Sequence, residues 1–203
     1  MAERTPARPG RIAAVAIAVL ALGGLQGSTA GAQTVGAVPA ATATCHGTRP
    51  EGSRTERAGA DTVDDTPLER TLTRLEKLAT GSHADAYAGL VVDEDTASAD
   101  LYRIPSGAFD KAACDAAERG VTLRIHDHDI NERDLTVLLD RISEDMTRWD
   151  GTFELREVGL DGTGRIVIGV DDPATAEPIL RAAFGEHNAK YLVVEYAPQA
   201  HLL

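Results

Sequence analysis

DGTGRIVIGVDDPA, residues 161–174, contains a turn, a strand and the start of a helix in one short stretch. The turn Asp161–Gly164 follows one apolar run, FELREVGL, and precedes another, RIVIGV, which is the pattern of a β-hairpin. Pro173 suits the first turn of a helix. The run YLVVEY further along predicts a third strand. Residues 153–197 therefore predict a strand–strand–helix–strand unit.

The same order of elements occurs upstream, in residues 87–128, where Pro105 stands at a helix start as Pro173 does in the second unit. Between the two units, a long amphipathic helix is predicted from Asn131 to a stop at Gly151. Its apolar stripe consists of Leu135, Leu138, Leu139, Ile142, Met146 and Trp149, which predicts that the Trp149 side chain lies in the core. The predicted class is α+β, with two strand–strand–helix–strand halves joined by this helix and about six strands with helices on one face.

The folded domain is predicted to span residues 66–203. It opens with a helix for which Thr66 is the N-cap and Glu69 the reciprocal partner in a capping box. Residues 33–65 contain no Leu, Ile, Met, Phe, Tyr or Trp. Such a segment buries too little apolar area to offset the entropy lost on ordering. We therefore expect residues 33–65 to be a disordered Thr/Ala/Gly-rich spacer.

Residues 1–32 have the order of a secretory signal peptide: arginines, then an uncharged apolar run, then small residues. The apolar run, residues 12–25, is shorter than the ~20 residues that a spanning helix needs. Cleavage after Ala32 would deliver the chain to the cell envelope or the extracellular medium. The alternative is an uncleaved segment, with residues 12–30 as the anchor of a single-pass membrane protein.

Cys45 and Cys114 are the only cysteines. Export would place them in an oxidising compartment, where thiols tend to pair. The helical pattern places Cys114 on the solvent side of its helix, where a mobile tail carrying Cys45 could reach it. We predict a Cys45–Cys114 disulfide, which would dock the residues near Cys45 onto that helix. Two unpaired thiols or an intermolecular bridge are the alternatives.

The charge balance is acidic, with 20 Lys and Arg against 32 Asp and Glu, for a net charge of −12. This argues against a nucleic-acid partner, because affinity for phosphates comes mainly from clustered Lys and Arg. It also disfavours an anionic membrane surface, so the membrane is a partner only if the signal segment is retained. Abundant Ala and Arg suggest a GC-rich bacterial genome.

The best candidate for metal chemistry is the run His126-Asp127-His128-Asp129. In a continuing strand, His126 and His128 would share one face, and two neutral imidazoles at that spacing suit a first-row metal ion. The sequence shows no third ligand. The alternative to a metal site is a solvated strand end with both histidines facing water. The sequence offers no nucleophile elbow, so neither catalysis nor a cofactor is expected.

Two segments carry a family resemblance. GRIVIGVDDPA at residues 164–174 resembles the repeated strand-to-helix unit in prodomains of secreted bacterial chymotrypsin-like serine proteases, and YAGLVVD at residues 87–93 resembles the strand that opens such a unit. Those prodomains are small α+β modules that assist the folding of a protease and inhibit it. The Gly-Asp-Ser-Gly-Gly loop of the protease is absent from this sequence. The resemblance therefore implies a fold type and a non-catalytic role in binding a partner.

The sequence thus predicts an exported, non-catalytic α+β domain that binds an extracellular or envelope protein, or another ligand. The alternative is a metal-dependent or otherwise cryptic extracellular enzyme that uses His126 and His128.

Overall fold

The computed structural model describes residues 40–51, 66–144 and 146–199, and these residues form four helices and seven strands. The helices are α1 (Pro67–Thr80), α2 (Gly107–Ala116), α3 (Glu132–Ser143) and α4 (Pro173–Ala189). The strands are β1 (Ala43–His46), β2 (Tyr87–Asp93), β3 (Ser98–Arg103), β4 (Thr122–Asp127), β5 (Leu155–Leu160), β6 (Ile166–Val170) and β7 (Leu192–Tyr196). The predicted α+β class is confirmed. The predicted signal peptide lies outside the described residues, and none of the helices described is long and apolar enough to cross a membrane.

The strands form two mixed sheets, with the orders β1-β4-β3-β2 and β5-β6-β7. In the first half of the domain, β2 is antiparallel to β3, and β3 is parallel to β4 across the α2 crossover. In the second half, β5 is antiparallel to β6, and β6 is parallel to β7 across the α4 crossover. The two halves therefore share one topology, as the repeated order of elements predicts.

Each half has its own hydrophobic core. In the first, α1 and α2 cover one face of the four-stranded sheet, and the largest fully buried side chains include Leu75, Leu101, Phe109, Leu123 and Ile125. In the second, α3 and α4 cover the three-stranded sheet, with Leu135, Ile142, Ile166, Ile168 and Leu180 fully buried. The helix between the halves thus contributes its apolar stripe to the second core.

The structure corrects the expected spacer. Within residues 33–65, the structure describes the segment 40–51. Its strand β1 pairs antiparallel with β4 and adds one strand to the six that the sequence predicted. Cys45 of β1 forms the predicted disulfide with Cys114 of α2, with a Cα–Cα distance of 5.8 Å. The disorder expected for residues 40–51 is therefore wrong, because backbone pairing and the disulfide stabilise a segment that lacks large apolar side chains. The rest of the expected spacer lies outside the described residues.

The predicted long helix is shorter than its apolar stripe suggests, because α3 ends at Ser143 rather than near Gly151. Met146 is exposed beyond the helix end. Trp149 is only partly buried; its ring stacks on Phe153 with 5.6 Å between centroids. The prediction of a core tryptophan is thus met only in part, by packing against the edge of the second core.

The two halves contact each other where the β5–β6 turn lies against β2. A Cβ atom added to Gly89 would lie 2.2 Å from the carbonyl oxygen of Gly162, and one added to Gly164 would lie 2.7 Å from Nε2 of His128. The Asp161 carboxylate fixes this turn by accepting hydrogen bonds from the N–H and Oγ1 of Thr163, at 2.7 and 2.6 Å. At Gly89 the contact is backbone on backbone, and at Gly164 it is backbone on the His128 ring, so neither position leaves room for a side chain.

We predict that Gly89→Ala destabilises the protein by about 1–3 kcal/mol, because the new methyl group overlaps the Gly162 carbonyl. The matched control is Gly159→Ala, a strand glycine with nothing within 4 Å of an added Cβ atom, and it should cost less than about 0.5 kcal/mol. Urea denaturation measures both. Equal losses for the two variants would contradict the close contact at Gly89.

Candidate functional site

The run His126–Asp129 lies at the end of β4 and in the turn after it, and each of its side chains has a partner within the domain. His126 is buried, with Nε2 2.7 Å from Oδ1 of Asp100 and its ring stacked on Tyr102 at 4.7 Å between centroids. The expectation of a solvent-facing His126 is therefore wrong. Asp100 on β3 makes this burial possible, because it gives the imidazole a charged hydrogen-bond partner.

Asp100 also receives the guanidinium of Arg124, whose Nε and Nη2 donate to the two carboxylate oxygens at 2.8 and 2.7 Å. These hydrogen bonds from Arg124 lower the pKa of Asp100 despite the opposing effect of partial burial, and His126 adds to the lowering. Asp100 therefore stays ionised between two donors. The arrangement is a closed ion-pair cluster on the face of the first sheet opposite α1 and α2.

Asp127 pairs with Arg103, a guanidinium that is only 4% exposed. Arg103 also donates from Nε and Nη2 to the two oxygens of Asp110, at 2.5 and 2.9 Å. The hydrogen bond from Arg103 lowers the pKa of Asp127. Two carboxylates thus neutralise one buried cation, which is the pairing that a buried charge requires.

His128 and Asp129 bind elements of the second half. The His128 ring lies against Gly164, and its Nδ1 accepts a hydrogen bond from the backbone N–H of Ile130 at 3.3 Å. Burial lowers the pKa of His128, which favours the neutral ring. Asp129 pairs with Lys190 and accepts a hydrogen bond from the Tyr191 hydroxyl at 3.0 Å. The expectation of a solvent-facing His128 is also wrong, since its side chain is 15% exposed.

The two histidines therefore have different partners. His126 is held by Asp100. His128 lies at the contact between the β5–β6 turn and the first half, which we call the seam. Among the described residues, no group of three or more His, Cys, Asp or Glu side chains is placed to hold a metal ion. Metal binding by His126 and His128 stays a prediction.

A second arrangement, which the sequence did not suggest, lies on the other side of the first sheet. A groove of about 290 Å³ runs between α1 and α2 and is bounded by the segment that follows β1. Its lining residues are Arg49, Arg74, Lys77, Leu78, Ala112, Asp115 and Ala116. Those from α1 and those from α2 each follow the i, i+3, i+4 spacing that places side chains on one helix face. We call this surface the α1–α2 groove.

Two helix caps, the backbone hydrogen bonds of Arg49 and the disulfide fix the walls of the α1–α2 groove. The capping box of Thr66 and Glu69 starts α1, and Ser106 caps α2 by accepting the Phe109 N–H. Arg49 is held by its backbone, which donates to the Ala117 carbonyl at 3.2 Å and accepts from the Arg119 N–H at 2.8 Å. The Cys45–Cys114 disulfide ties the same segment to α2.

Gly47 is the residue that lets this segment approach α2 so closely. A Cβ atom added there would lie 1.8 Å from the Glu118 carbonyl oxygen, so only glycine fits without a shift of the backbone. The Gly47 N–H also donates to the Val121 carbonyl at 2.8 Å.

Glu118 is the electrostatic anchor between α1 and the residues after α2. Its carboxylate is fully buried and accepts hydrogen bonds from Arg70 at 2.7 Å and from Arg74 at 2.6 Å. Its backbone N–H donates to Oγ1 of Thr71 at 3.1 Å. The hydrogen bond from Arg70, followed by that from Arg74, lowers the pKa of Glu118 below its ordinary value of 4.5. The buried Glu118 carboxylate thus holds Arg74, one of the groove residues, in place.

Arg49 and Lys77 are both exposed, and within the described part of the chain neither is in an ion pair. The acidic residue of the lining, Asp115, pairs with Lys111 at 2.6 Å. The groove thus combines an apolar floor with cationic walls on a protein whose net charge is −12. Chemically, it suits a ligand that carries both a negative charge and an apolar group.

Sequence reasoning missed this groove because Arg49 lies in the segment that was expected to be a disordered spacer. The available signal was the disulfide prediction, which already placed the residues near Cys45 on α2.

No protein-family model matches this chain, and comparisons with curated proteins and with solved structures found no match. The resemblance to protease prodomains therefore stays a prediction from the residues quoted for it.

We predict that the Glu118 carboxylate makes stability depend on acid pH. Because its folded pKa is lowered, its contribution is fully present above the unfolded pKa and is lost as the pH falls through the folded pKa. At pH 7, Glu118→Gln should cost on the order of 3 kcal/mol, since it leaves two largely buried guanidiniums without their carboxylate. The cost should shrink as the pH falls below 4.5.

Thermal and urea unfolding of both proteins from pH 7 to pH 3 measure this difference. The control is Asp115→Asn, which breaks an exposed ion pair and should change stability by less than about 1 kcal/mol. A Glu118→Gln cost that does not vary with pH would show that the effect is one of packing and not of charge.

Proposed function

We propose that this chain is an exported, non-catalytic α+β domain that binds a protein or another ligand at the cell envelope or outside the cell, and that the α1–α2 groove is its binding surface. The observation that carries the proposal is the pair of exposed cations, Arg49 and Lys77, which have no ion-pair partner among the described residues and lie beside an apolar floor. Concave surfaces with an apolar lining and a few convergent polar groups are typical of ligand sites.

The Cys45–Cys114 disulfide supports export. Structural disulfides persist in oxidising compartments and are rare in the cytosol of most organisms. Here the bond ties down a seven-strand fold at its edge strand, β1, so the wall of the groove depends on it. A site built in this way suits a protein that works outside the reducing interior of the cell.

The internal pairing of the His126–Asp129 run supports a non-catalytic role. A general base or nucleophile must reach substrate. In this run His126 is 3% exposed, and Asp129 is paired with Lys190 and Tyr191. The polar groups that the sequence offers for chemistry stabilise the fold instead.

Export predicts that the native protein begins at Gln33, because the arginine, apolar and small-residue segments end at Ala32. Intact mass and N-terminal sequencing of protein recovered from the culture medium and the envelope fraction measure this. Retention of Met1 or Ala2 would contradict cleavage and favour the alternative of an anchor at residues 12–30.

Groove-dependent capture tests the binding function. The full chain, immobilised, is exposed to culture supernatant and solubilised envelope as wild type, as Arg49→Glu/Lys77→Glu, and as Arg133→Glu/Arg181→Glu. The last variant has the same change in net charge but reverses exposed arginines of α3 and α4. We expect a component that wild type and the control retain at equal levels and that the groove variant loses. Identical retained sets for all three proteins would contradict the proposal.

A further inference from the structure

We propose that the α1–α2 groove recognises an extended acidic segment of a partner protein, whose carboxylates pair with Arg49 and Lys77 while an apolar side chain packs on Leu78 and Ala112. This inference rests on the proposed binding function and specifies its ligand.

The charge of the groove selects for an anion. Its lining contains three cations and one carboxylate, and that carboxylate, on Asp115, is already paired with Lys111. Arg74 is paired with Glu118, whereas Arg49 and Lys77 are in no ion pair within the described residues. Two exposed cations around a single depression favour a ligand with more than one carboxylate over a lone anion.

The floor of the groove selects for an apolar group as well. Leu78, Ala112 and Ala116 lie between the cations, and Leu78 packs against the first core. A volume of about 290 Å³ is at the small end for ligand pockets, which are ~300–1,000 Å³. It suits one or two side chains of a peptide. Inorganic phosphate would pair with the cations and leave the floor in water.

The backbone positions that carry the groove cations are fixed before any ligand arrives. The backbone of Arg49 is bonded to residues 117 and 119, and the disulfide lies four positions upstream. Lys77 and Arg74 stand on a helix that is capped at its start and pinned by Glu118. Within this protein, binding therefore has to order little more than the side-chain ends of Arg49 and Lys77, and this lowers the entropic cost of binding.

The net charge of −12 explains why an acidic peptide fits better than a nucleic acid or an anionic membrane. A nucleic acid or an anionic membrane reaches well beyond the groove, meets the negative surface there and is repelled. A short acidic segment interacts mainly within the Debye length of ~8 Å at physiological salt, where the groove cations dominate. These charges therefore favour a short acidic peptide segment that stays within the groove.

The test uses the full chain and a fluorescein-labelled peptide in which Glu and Leu alternate, with fluorescence polarisation as the readout. A peptide in which Gln replaces every Glu is the matched probe. We expect saturable binding of the Glu peptide at physiological salt and affinity at least about tenfold weaker for the Gln peptide. Arg49→Glu/Lys77→Glu should weaken Glu-peptide binding at least about tenfold, while Arg133→Glu/Arg181→Glu changes it less than about threefold.

Circular dichroism and melting temperature verify that both variants fold, and single Arg49→Gln and Lys77→Gln proteins provide milder changes if they do not. Equal binding of the two peptides, or equal loss with the groove and control variants, would overturn the proposal. Competition by inorganic phosphate at millimolar concentration, or groove-dependent binding to phosphatidylglycerol vesicles without peptide binding, would overturn it in favour of a simple anion or a membrane. If groove-dependent capture of a partner is observed but the Glu peptide does not bind, the binding function stands and this specificity is wrong.

Discussion

The structure depends on a contact between the backbones of its two halves, where the turn after β5 lies on β2. Gly89 meets the Gly162 carbonyl at a distance that no side chain would allow, and Gly164 meets the ring of His128 in the same way. Each half has its own apolar core, so this seam is what makes the halves pack as neighbours. At this seam the largely buried His128 ring lies against Gly164, and the exposed Asp129 pairs with Lys190 and Tyr191 of the second half.

The proposed binding surface and the His126 cluster lie on opposite faces of the first sheet. Side chains of β3 alternate between the sheet faces, so Leu101 enters the core under α1 and α2, while Asp100 and Tyr102 face the opposite side with His126. That opposite face carries the cluster of Asp100, Arg124 and His126. The α1–α2 groove is on the helix side, where the disulfide ties the segment after β1 to α2.

Periodicity and cap residues were sufficient to predict most of the fold, because the packing of each element depends mainly on its own apolar spacing. This holds for the capping box at Thr66, for the β5–β6 hairpin and for the shared topology of the halves. Predictions that depended on contacts distant in sequence were weaker. β1 is stabilised by its pairing with β4, which composition does not reveal. The burial of His126 depends on Asp100, which lies on another strand.

The charged groups of the first half fall into two sets with different physical requirements. Arg103 is buried and needs two carboxylates, and Glu118 is buried and needs two arginines, so these partners are fixed by stability. Arg49 and Lys77 are hydrated, and the fold does not require them to be charged. An acidic chain has many carboxylates that could neutralise exposed cations, yet this pair stands beside an apolar floor with no ion-pair partner among the described residues. The charge of these two side chains beside an apolar floor is the feature on which the proposed binding function rests.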